Sequence, residues 1–365
     1  MVEAVPVGRL VVHSVAPSSP ALEADWRKLQ DHGAVTTPFL TWEWFSAFAE
    51  TALLSRHTTV LLVEDAAGAT VGLFPLEIVP AARGLRTVRC AGAGELGADH
   101  LDVVAPAADR DAVAEAVARH VARELRWDLA EFEGLAADGA LAPALLRELR
   151  SARRVVRKPE PEPVSVVDIQ AEGGRERLLK RSGRGRKWAE KAGGGYSVME
   201  DAASIGPLLE TLMDMHNQRF GEESVVFATP EMRAFHVRAI TRLAEAGMAR
   251  ICRLSTADKD IAMEYVMLLG DRAFAYQSGC LPDEGYSPGR TVQCLSMLTA
   301  TDEGRAEYDL LRGDEPYKAE YATGTRPDVR IRAIRPTPRS AAWAGERLLR
   351  RLSGAVRRSE PAVRG

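Results

Sequence analysis

Apolar and polar positions alternate along the 365-residue chain in patterns that predict strands and helices in turn. Runs of β-branched or alternating apolar residues predict strands, and apolar residues three and four positions apart predict helices. In the first half, the predicted strands are 10–15, 59–64, 70–79 and 127–132, and the predicted helices are 20–30, 41–50, 107–124 and 142–149. Thr41 is suited to cap the second helix, because its hydroxyl can accept a hydrogen bond from a first-turn amide.

The composition changes at 151–163, between the two halves of the chain. Residues 151–158 are basic, and Pro159, Pro161 and Pro163 alternate with glutamates. Proline disfavours helix and suits an extended connector. Beyond it, strands are predicted at 164–169, from 196, and at 249–255, 260–269, 272–278 and 307–311, and helices at 172–192, 205–220, 229–246 and 289–303. We expect domains at 1–158 and 159–335, followed by a basic amphipathic tail at 336–365.

Three blocks of the first half align with the second half in the same order. Residues 39–48 match 227–236, residues 60–79 match 250–269 without a gap, and residues 127–129 match 308–310. The offsets are roughly 180 to 190 residues, and the predicted element types agree from block to block. We interpret the chain as two copies of one α/β unit.

Composition narrows the class of protein. The chain has 48 Lys and Arg against 51 Asp and Glu, a net charge of −3, and 46% hydrophobic residues. This excludes a disordered chain and argues against a DNA-coating protein, because no global positive charge opposes phosphates. The four cysteines form no close pair, and no run of about 18 apolar residues or secretory signal is present. We expect a cytoplasmic protein with free thiols.

Four pieces of sequence carry a family resemblance: 308–318 (YDLLRGDEPYK), the turn 287–290, Asp99-His-Leu-Asp102, and the basic helix after the connector. The chain is similar to tandem-GNAT acyltransferases of the cellulose-biosynthesis type (CelD-like) and, more distantly, to Fem-type aminoacyl transferases. The resemblance implies an α/β (α+β) fold of two tandem GNAT-like domains, each a central mixed β-sheet flanked by helices. It also implies that a thioester donor enters between two splayed strands.

The resemblance further implies an N-acyltransferase that uses acetyl-CoA or another acyl-CoA and needs no metal. The acyl group would pass directly to an amine of a small molecule, in secondary metabolism or cell-surface polysaccharide synthesis. The first copy lacks the basic residues of the 312–318 loop, so we expect the first copy to be degenerate and the second to be active. Two alternatives stay open: a Fem-like transferase that uses aminoacyl-tRNA, and a non-catalytic binding protein.

Acyl transfer to an amine requires a base for the amine and an acid for the departing sulfur. Glu264 is one candidate base, because a carboxylate inside the apolar strand 261–267 is costly unless it is paired or used. The alternation of side chains along a strand also allows Glu264 to face solvent. Glu315 is the competing candidate. Tyr276 is the candidate acid, and it alternates with Ser278 onto one face of its strand; packing is its alternative role.

The turn before the predicted helix 289–303 is the candidate donor site. Gly289 allows close approach of a phosphate, free amides at a helix start attract anions, and Arg290 can add a charge-assisted bond. The assigned residues are Ser278, Ser287, Gly289, Arg290 and Thr291. A standard GNAT has more glycines here, so a turn that only caps the helix is the alternative.

The acceptor candidates are polar residues from three regions that the resemblance brings to one cleft. They are His216, Arg219, Asp99, Asp102, Arg312, Asp314, Tyr317 and Lys318. A structural ion-pair cluster is the alternative for the 312–318 loop, a turn or helix cap for the aspartates, and a structural role for His216.

Two basic segments have several possible partners. The helix segment 175–191 can dock cofactor phosphates, an acidic acceptor or a tRNA acceptor stem, or it can be a solvated face. The tail at 340–358 can pack on the protein or contact an anionic membrane surface.

Overall fold

The protein folds around two mixed β-sheets. The structure, a computed structural model, describes residues 10–51, 57–221, 225–282 and 285–343. The first sheet has eight strands: β1 Val11–Val15, β2 Thr58–Glu64, β3 Thr70–Pro80, β4 Arg86–Cys90, β5 Leu129–Ala136, β6 Val155–Val156, β7 Glu160–Glu162 and β15 Asp328–Ile334. Their order is β1-β2-β3-β4-β5-β15-β6, and β7 also pairs with β15.

The second sheet repeats this arrangement. Its seven strands are β8 Val164–Asp168, β9 Gly195–Met199, β10 Ala249–Ser255, β11 Asp260–Leu269, β12 Arg272–Cys280, β13 Glu307–Arg312 and β14 Gly324–Thr325, in the order β14-β8-β13-β12-β11-β10-β9. In both sheets the central pair, β4 with β5 and β12 with β13, is parallel, while the other pairs are antiparallel.

Helices cover both faces of the sheets. They are α1 Leu22–Asp31, α2 Trp42–Ala49, α3 Arg110–Arg123, α4 Leu141–Ser151, α5 Gly174–Lys191, α6 Ala202–Phe220, α7 Pro230–Glu245, α8 Pro288–Asp302 and α9 Pro316–Ala319. The predicted fold of two mixed sheets flanked by helices is confirmed. The predicted cap is also present: the Thr41 hydroxyl accepts a hydrogen bond from the Trp44 amide at 3.3 Å. The predictions missed β4, β6, β7, β14 and β15, which are short or carry many charged residues.

One strand of the predicted second domain, 159–335, joins the first sheet. Strand β15 was assigned to the second domain, yet it pairs with β5 of the first sheet, and β7, on the second-domain side of residue 158, pairs with β15. Strand β8, which follows the connector, pairs with β13 and fills the equivalent place in the second sheet. The first sheet is therefore completed by a strand from the C-terminal end of the predicted second domain, and the second sheet by the strand that follows the connector.

The strand register also corrects one block of the repeat. In the first sheet Val88 lies opposite Ala130, and in the second Ala273 lies opposite Tyr308. Ala130, rather than Trp127, is thus the counterpart of Tyr308. Phe74 keeps the place that the gapless alignment matches with Glu264.

The central strands diverge differently in the two units. In the first, residues 101–104 fill the gap: the Leu101 amide donates to the Gly134 carbonyl at 2.7 Å, and Leu73 exchanges two hydrogen bonds with Val104. In the second, only Arg272–Phe274 of β12 pair with β13, and the strands separate beyond that point. An open cleft follows from this separation.

The predicted tail at 336–365 lies largely outside the described residues, which end at 343. Within the described part of the chain, no helix combines the length and apolar character needed to cross a bilayer.

Candidate active site

The open side of β12 and β13 forms a cleft of about 1520 Å³. Its walls come from both units and from the connector. Sequence-predicted residues along it are Asp99, His216, Arg219, Glu264, Tyr276, Ser278, Ser287, Gly289, Arg290, Arg312, Asp314, Glu315, Tyr317 and Lys318. The fold therefore gathers most of the predicted candidates around one cavity.

Glu264 lies on β11, and its side chain is buried at the cleft with 1% of the residue exposed. Its Oε2 atom accepts a hydrogen bond from the Tyr308 hydroxyl at 2.9 Å. Burial raises the pKa of Glu264 to about 7, although hydrogen bonds from Tyr308 and Ser296 and the charge of Arg250 oppose this rise. A carboxyl group with a pKa near 7 can take or return a proton at neutral pH. The solvent-facing alternative for Glu264 is thus wrong.

Tyr276 lies on the opposite face of the sheet from Glu264. A bulge in the β11–β12 pairing leaves Tyr276 between the paired residues Ala275 and Gln277, so strict alternation fails. Its ring packs on Tyr265, with centroids 5.3 Å apart, and its hydroxyl donates to the Leu96 carbonyl at 2.7 Å. Ser278, by contrast, pairs directly with Glu264. The prediction that Tyr276 shares a face with Ser278 is wrong, and its hydroxyl hydrogen is engaged by the first unit.

His216 closes one side of the cleft from α6. Its Nδ1 lies 2.9 Å from the Ser278 carbonyl oxygen, so this nitrogen carries the proton and Nε2 is the acceptor. Burial lowers the pKa of His216, which keeps the ring neutral at physiological pH. Arg219, one turn further along, contacts the Cys280 sulfur at 3.4 Å.

The start of α8 lies at the mouth of the cleft. Ser287 has a left-handed φ of 50°, and a side chain at Gly289 would come within 3.2 Å of the Cys280 sulfur. First-turn amides lack intrahelical acceptors, so those of Gly289 and Arg290 are suited to an anion. Arg290 pairs with Glu320 at 3.1 Å.

Thr291 has a structural role, which corrects its assignment to the donor site. It is 1% exposed and does not line the cleft, and its hydroxyl donates to the Ser287 carbonyl at 2.9 Å. The Thr291 side chain thus braces the turn before α8.

Arg312 joins the two units beside the cleft. Its backbone amide donates to Asp99 at 2.8 Å, its guanidinium also pairs with Asp99, and a second arm reaches Glu162 at 3.1 Å. Burial raises the pKa of Asp99 to about 6, against the lowering effect of the Arg312 charge. Most of the hydrogen-bonding capacity of both groups is used in this bridge, which matches the structural alternative for Arg312.

Asp102 lies away from the cleft, so its predicted acceptor role is wrong. Its carboxylate accepts hydrogen bonds from the amides of Val103, Ala140 and Leu141 at 2.9 to 3.0 Å. These bonds satisfy the first amides of α4, as the helix-cap alternative expected.

The 313–318 loop is fastened by a buried lysine. Lys318 is 4% exposed, donates to the Arg312 carbonyl at 2.6 Å and lies 2.9 Å from the Glu315 carboxylate. Asp314 and Glu315 are exposed along the cleft edge, and burial raises the pKa of Tyr317. The loop is an ion-pair structure that also presents two carboxylates to the cavity.

Sequence reasoning missed a buried ionic cluster between the units. His100 Nε2 lies 3.0 Å from Asp309 of β13, and Nδ1 lies 2.9 Å from Asp328 of β15. Burial disfavours the charged ring, but the two aspartates outweigh it and raise the pKa of His100 to about 10. The backbone of His100 has a positive φ of 56°, and no pattern in the sequence predicts this conformation.

The basic helix α5 packs on α8 and borders the cleft mouth. Arg181 lies 3.5 Å from Glu320, which also holds Arg290, and Trp188 stacks on Tyr286 at 3.7 Å. The other cationic side chains of α5 are exposed; they are Arg175, Arg177, Lys180, Arg184, Arg186, Lys187 and Lys191. Among the described residues, no cluster of potential metal ligands is present.

Comparison with known proteins finds a family match within the second unit. Residues 176–319 match an acetyltransferase (GNAT) domain family, and no curated protein matches the chain by sequence. The C-terminal domain of a putative lysylphosphatidylglycerol synthetase from Agrobacterium fabrum has 12% identity and a TM-score of 0.54, with 90% of this chain and 96% of that chain covered.

Two further solved structures are similar. L-PGS from Bacillus licheniformis has 12% identity and a TM-score of 0.54, covering 91% of this chain and 95% of that chain. FemX has 12% identity and a TM-score of 0.53, covering 88% and 97%. At these identities the likeness shows the fold. The second unit is thus similar to GNAT acetyltransferase domains over residues 176–319, and most of the chain shares its fold with these three structures.

Proposed function

We propose that the second unit is an acyl-CoA-dependent N-acyltransferase that acts on an amine of a small molecule. The observation that supports it best is the open cleft between β12 and β13 with the Glu264 carboxyl buried against it. The first unit has its gap filled by its own residues 101–104, which supports a single active cleft. The pairing of β15 with β5 and the Arg312–Asp99 ion pair hold the first unit against that cleft as a wall.

The cleft offers different groups to the two substrates. The donor phosphates would meet the first-turn amides and Arg290 at the start of α8. The acceptor amine would approach past His216, Asp314 and Glu315. The carboxylates of Asp314 and Glu315 favour a cationic amine.

Glu264 supplies the proton transfers of the reaction. The cationic amine first loses one proton to water. The neutral amine nitrogen then bonds to the thioester carbon, its next proton passes to the Glu264 carboxylate, and the C–S bond breaks to release the thiolate. With a pKa of about 7, the Glu264 acid can return that proton to a thiolate, whose ordinary conjugate acid has a pKa of about 8.5. Glu264 then acts first as the base and afterwards as the acid, a role predicted from the sequence for Tyr276.

A panel of acyl-CoA donors and amines tests the proposal, with release of free thiol as the measured rate. Glu264→Gln should lower kcat by about 100-fold or more while calorimetric donor affinity stays the same. Glu77→Gln is the matched control, because Glu77 is a buried carboxylate of the first sheet that pairs with Arg89 away from the cleft. Full activity in Glu264→Gln would remove this residue from the mechanism, and failure to bind any donor would favour a binding protein.

A second candidate is a transferase that takes its aminoacyl group from tRNA. The observation that favours it is the exposed basic face of α5, 18 residues long, beside the cleft mouth. Such a face is suited to a phosphate backbone, with affinity that falls steeply as salt increases. Calorimetry with an aminoacyl-tRNA separates the candidates, because tight, salt-sensitive binding of tRNA without acyl-CoA binding would replace the first proposal.

A further inference from the structure

Three elements meet in a buried hydrogen-bonded group beside the cleft. The Tyr308 hydroxyl of β13 donates to Glu264 of β11 at 2.9 Å, and the Ser296 hydroxyl of α8 lies 2.6 Å from the same tyrosine oxygen. All three residues are at most 1% exposed. Tyr308 also lies opposite Ala273, at the last stretch where β12 and β13 still pair. The group therefore stands at the vertex from which the cleft opens.

We propose that Tyr308 and Ser296 are positioning residues that hold the Glu264 carboxyl at the cleft vertex and stabilise its ionised form for proton abstraction. This inference rests on the proposed acyl transfer, in which Glu264 is the base. Tyr308, rather than Tyr276, is then the tyrosine that serves the reaction, and it acts through the carboxylate.

The physical reason lies in competing effects on one charge. Removing Glu264 from water disfavours its carboxylate, whereas a hydrogen bond donated to that carboxylate favours it. A hydroxyl donor from β13, itself held by a second hydroxyl from α8, supplies that bond in a fixed direction. Without these donors, a carboxyl this deeply buried would keep its proton to a higher pH, and less of the ionised base would be present at neutral pH.

The first unit provides an internal comparison. Its gap is closed, and the positions equivalent to Glu264 and Tyr308 are the apolar residues Phe74 and Ala130. Both are buried in that unit's core. The carboxyl and its hydroxyl donor thus occur together in the unit with an open cleft, and both are replaced in the unit without one.

The other titratable groups around Glu264 are Arg250 and Cys252 on β10, Cys294 on α8, and Tyr317. Arg250 is held by Glu303 and stays charged. Burial raises the pKa of Cys252, Cys294 and Tyr317, so these groups stay neutral through pH 8. Between pH 5 and 8, a titration seen at this vertex belongs to Glu264.

The test combines Tyr308→Phe with a direct titration of the Glu264 carboxyl. Protein labelled with ¹³C at the glutamate carboxyl carbon is titrated by NMR, and the Glu264 signal is assigned by its loss in Glu264→Gln. Loss of one hydrogen bond to the carboxylate should raise its pKa by about one unit or more. The acidic limb of the kcat/KM profile should move upward by the same amount, with a rate loss of about tenfold at pH 6 that recovers near pH 9.

Tyr265→Phe is the matched control. Tyr265 is also fully buried on β11, its side chain faces away from Glu264, and its hydroxyl has no hydrogen-bond partner among the described residues. Tyr265→Phe should leave both the titration of the Glu264 carboxyl and the pH profile of kcat/KM unchanged. Ser296→Ala should shift both in the same direction as Tyr308→Phe by a smaller amount.

An unchanged Glu264 titration in a folded Tyr308→Phe protein overturns the inference, whether or not acyl transfer is observed. If Tyr308→Phe does not fold, Ser296→Ala decides by the same titration, and no shift there overturns the inference as well. Absence of transfer with every donor overturns the proposed function instead, since the NMR titration requires no turnover. The two failures are therefore distinguishable.

Discussion

Replacing His100 with glutamine is expected to destabilise the protein severely, although His100 lies outside the cleft lining. Its ring joins a first-unit loop to Asp309 of β13 and Asp328 of β15, at 3.0 and 2.9 Å. Both aspartates are fully buried, with 0% exposed. Glutamine keeps much of the volume and one amide donor but removes the positive charge, so two buried carboxylates lose their shared counter-ion.

Two estimates of the loss in unfolding free energy for His100→Gln agree. Removing one partner from a buried ion pair costs about 3–5 kcal/mol. The pKa of His100, raised from 6.5 to about 10, corresponds to a similar free energy at about 1.4 kcal/mol per unit. Arg326 remains 3.7 Å from Asp309 in the variant and offsets part of the loss. We therefore expect the free energy of unfolding to fall by about 3–4 kcal/mol at pH 7.

The pH dependence gives a second signature. Below pH 6.5 the ring is protonated in folded and unfolded chains, so the contribution of His100 is fully present. As pH rises from 6.5 toward about 10, the unfolded chain loses the proton and the folded chain keeps it. The free energy of unfolding should then fall by about 1.4 kcal/mol per pH unit from this site.

Urea denaturation of wild type and His100→Gln at pH 6, 7, 8 and 9 measures both effects. The difference between the two proteins should shrink steadily as pH rises. His13→Gln, at a half-exposed position, should match wild type within about 0.5 kcal/mol at each pH. A His100→Gln protein as stable as wild type, or a difference that does not change with pH, would refute the assignment of a charged His100.

Three further predictions concern packing and caps. Asp102→Ala should lower the free energy of unfolding by about 1–2 kcal/mol, because α4 loses its cap, with donor binding unchanged; weaker binding without a stability loss would contradict this. Gly185→Ala should destabilise the protein by about 1–3 kcal/mol in thermal or urea denaturation, because the new Cβ would overlap the Thr291 hydroxyl. Gly183→Ala is the control, and it should stabilise the protein slightly because there is open space around Gly183. Equal effects of the two substitutions would contradict this prediction. Tyr265→Phe should stabilise by about 1 kcal/mol in the same assay, because a buried hydroxyl without a partner is removed; a loss of stability would contradict it.

Much of the candidate site could be predicted from local sequence. Glu264 stood out because a carboxylate interrupts an apolar strand, and the start of α8 stood out because a Pro–Gly turn precedes a helix pattern. Tyr276 was misplaced, because a one-residue bulge turns it to the other face of the sheet and no periodicity in the sequence marks that bulge. Asp102 and Thr291 were misplaced for a different reason: their partners are backbone groups, whose positions depend on the fold.

From the sequence alone we could predict most of the element types and two copies of one unit, and Glu264 could be recognised as a carboxylate within an apolar strand. These follow from short-range periods of apolar residues and from similarity between segments of the same chain. The three-dimensional structure was needed to show that β15 completes the first sheet, that residues 101–104 close the first gap, and that Tyr308 meets Glu264. These contacts join residues far apart in sequence, and strand register, which no local pattern specifies, determines which side chains meet.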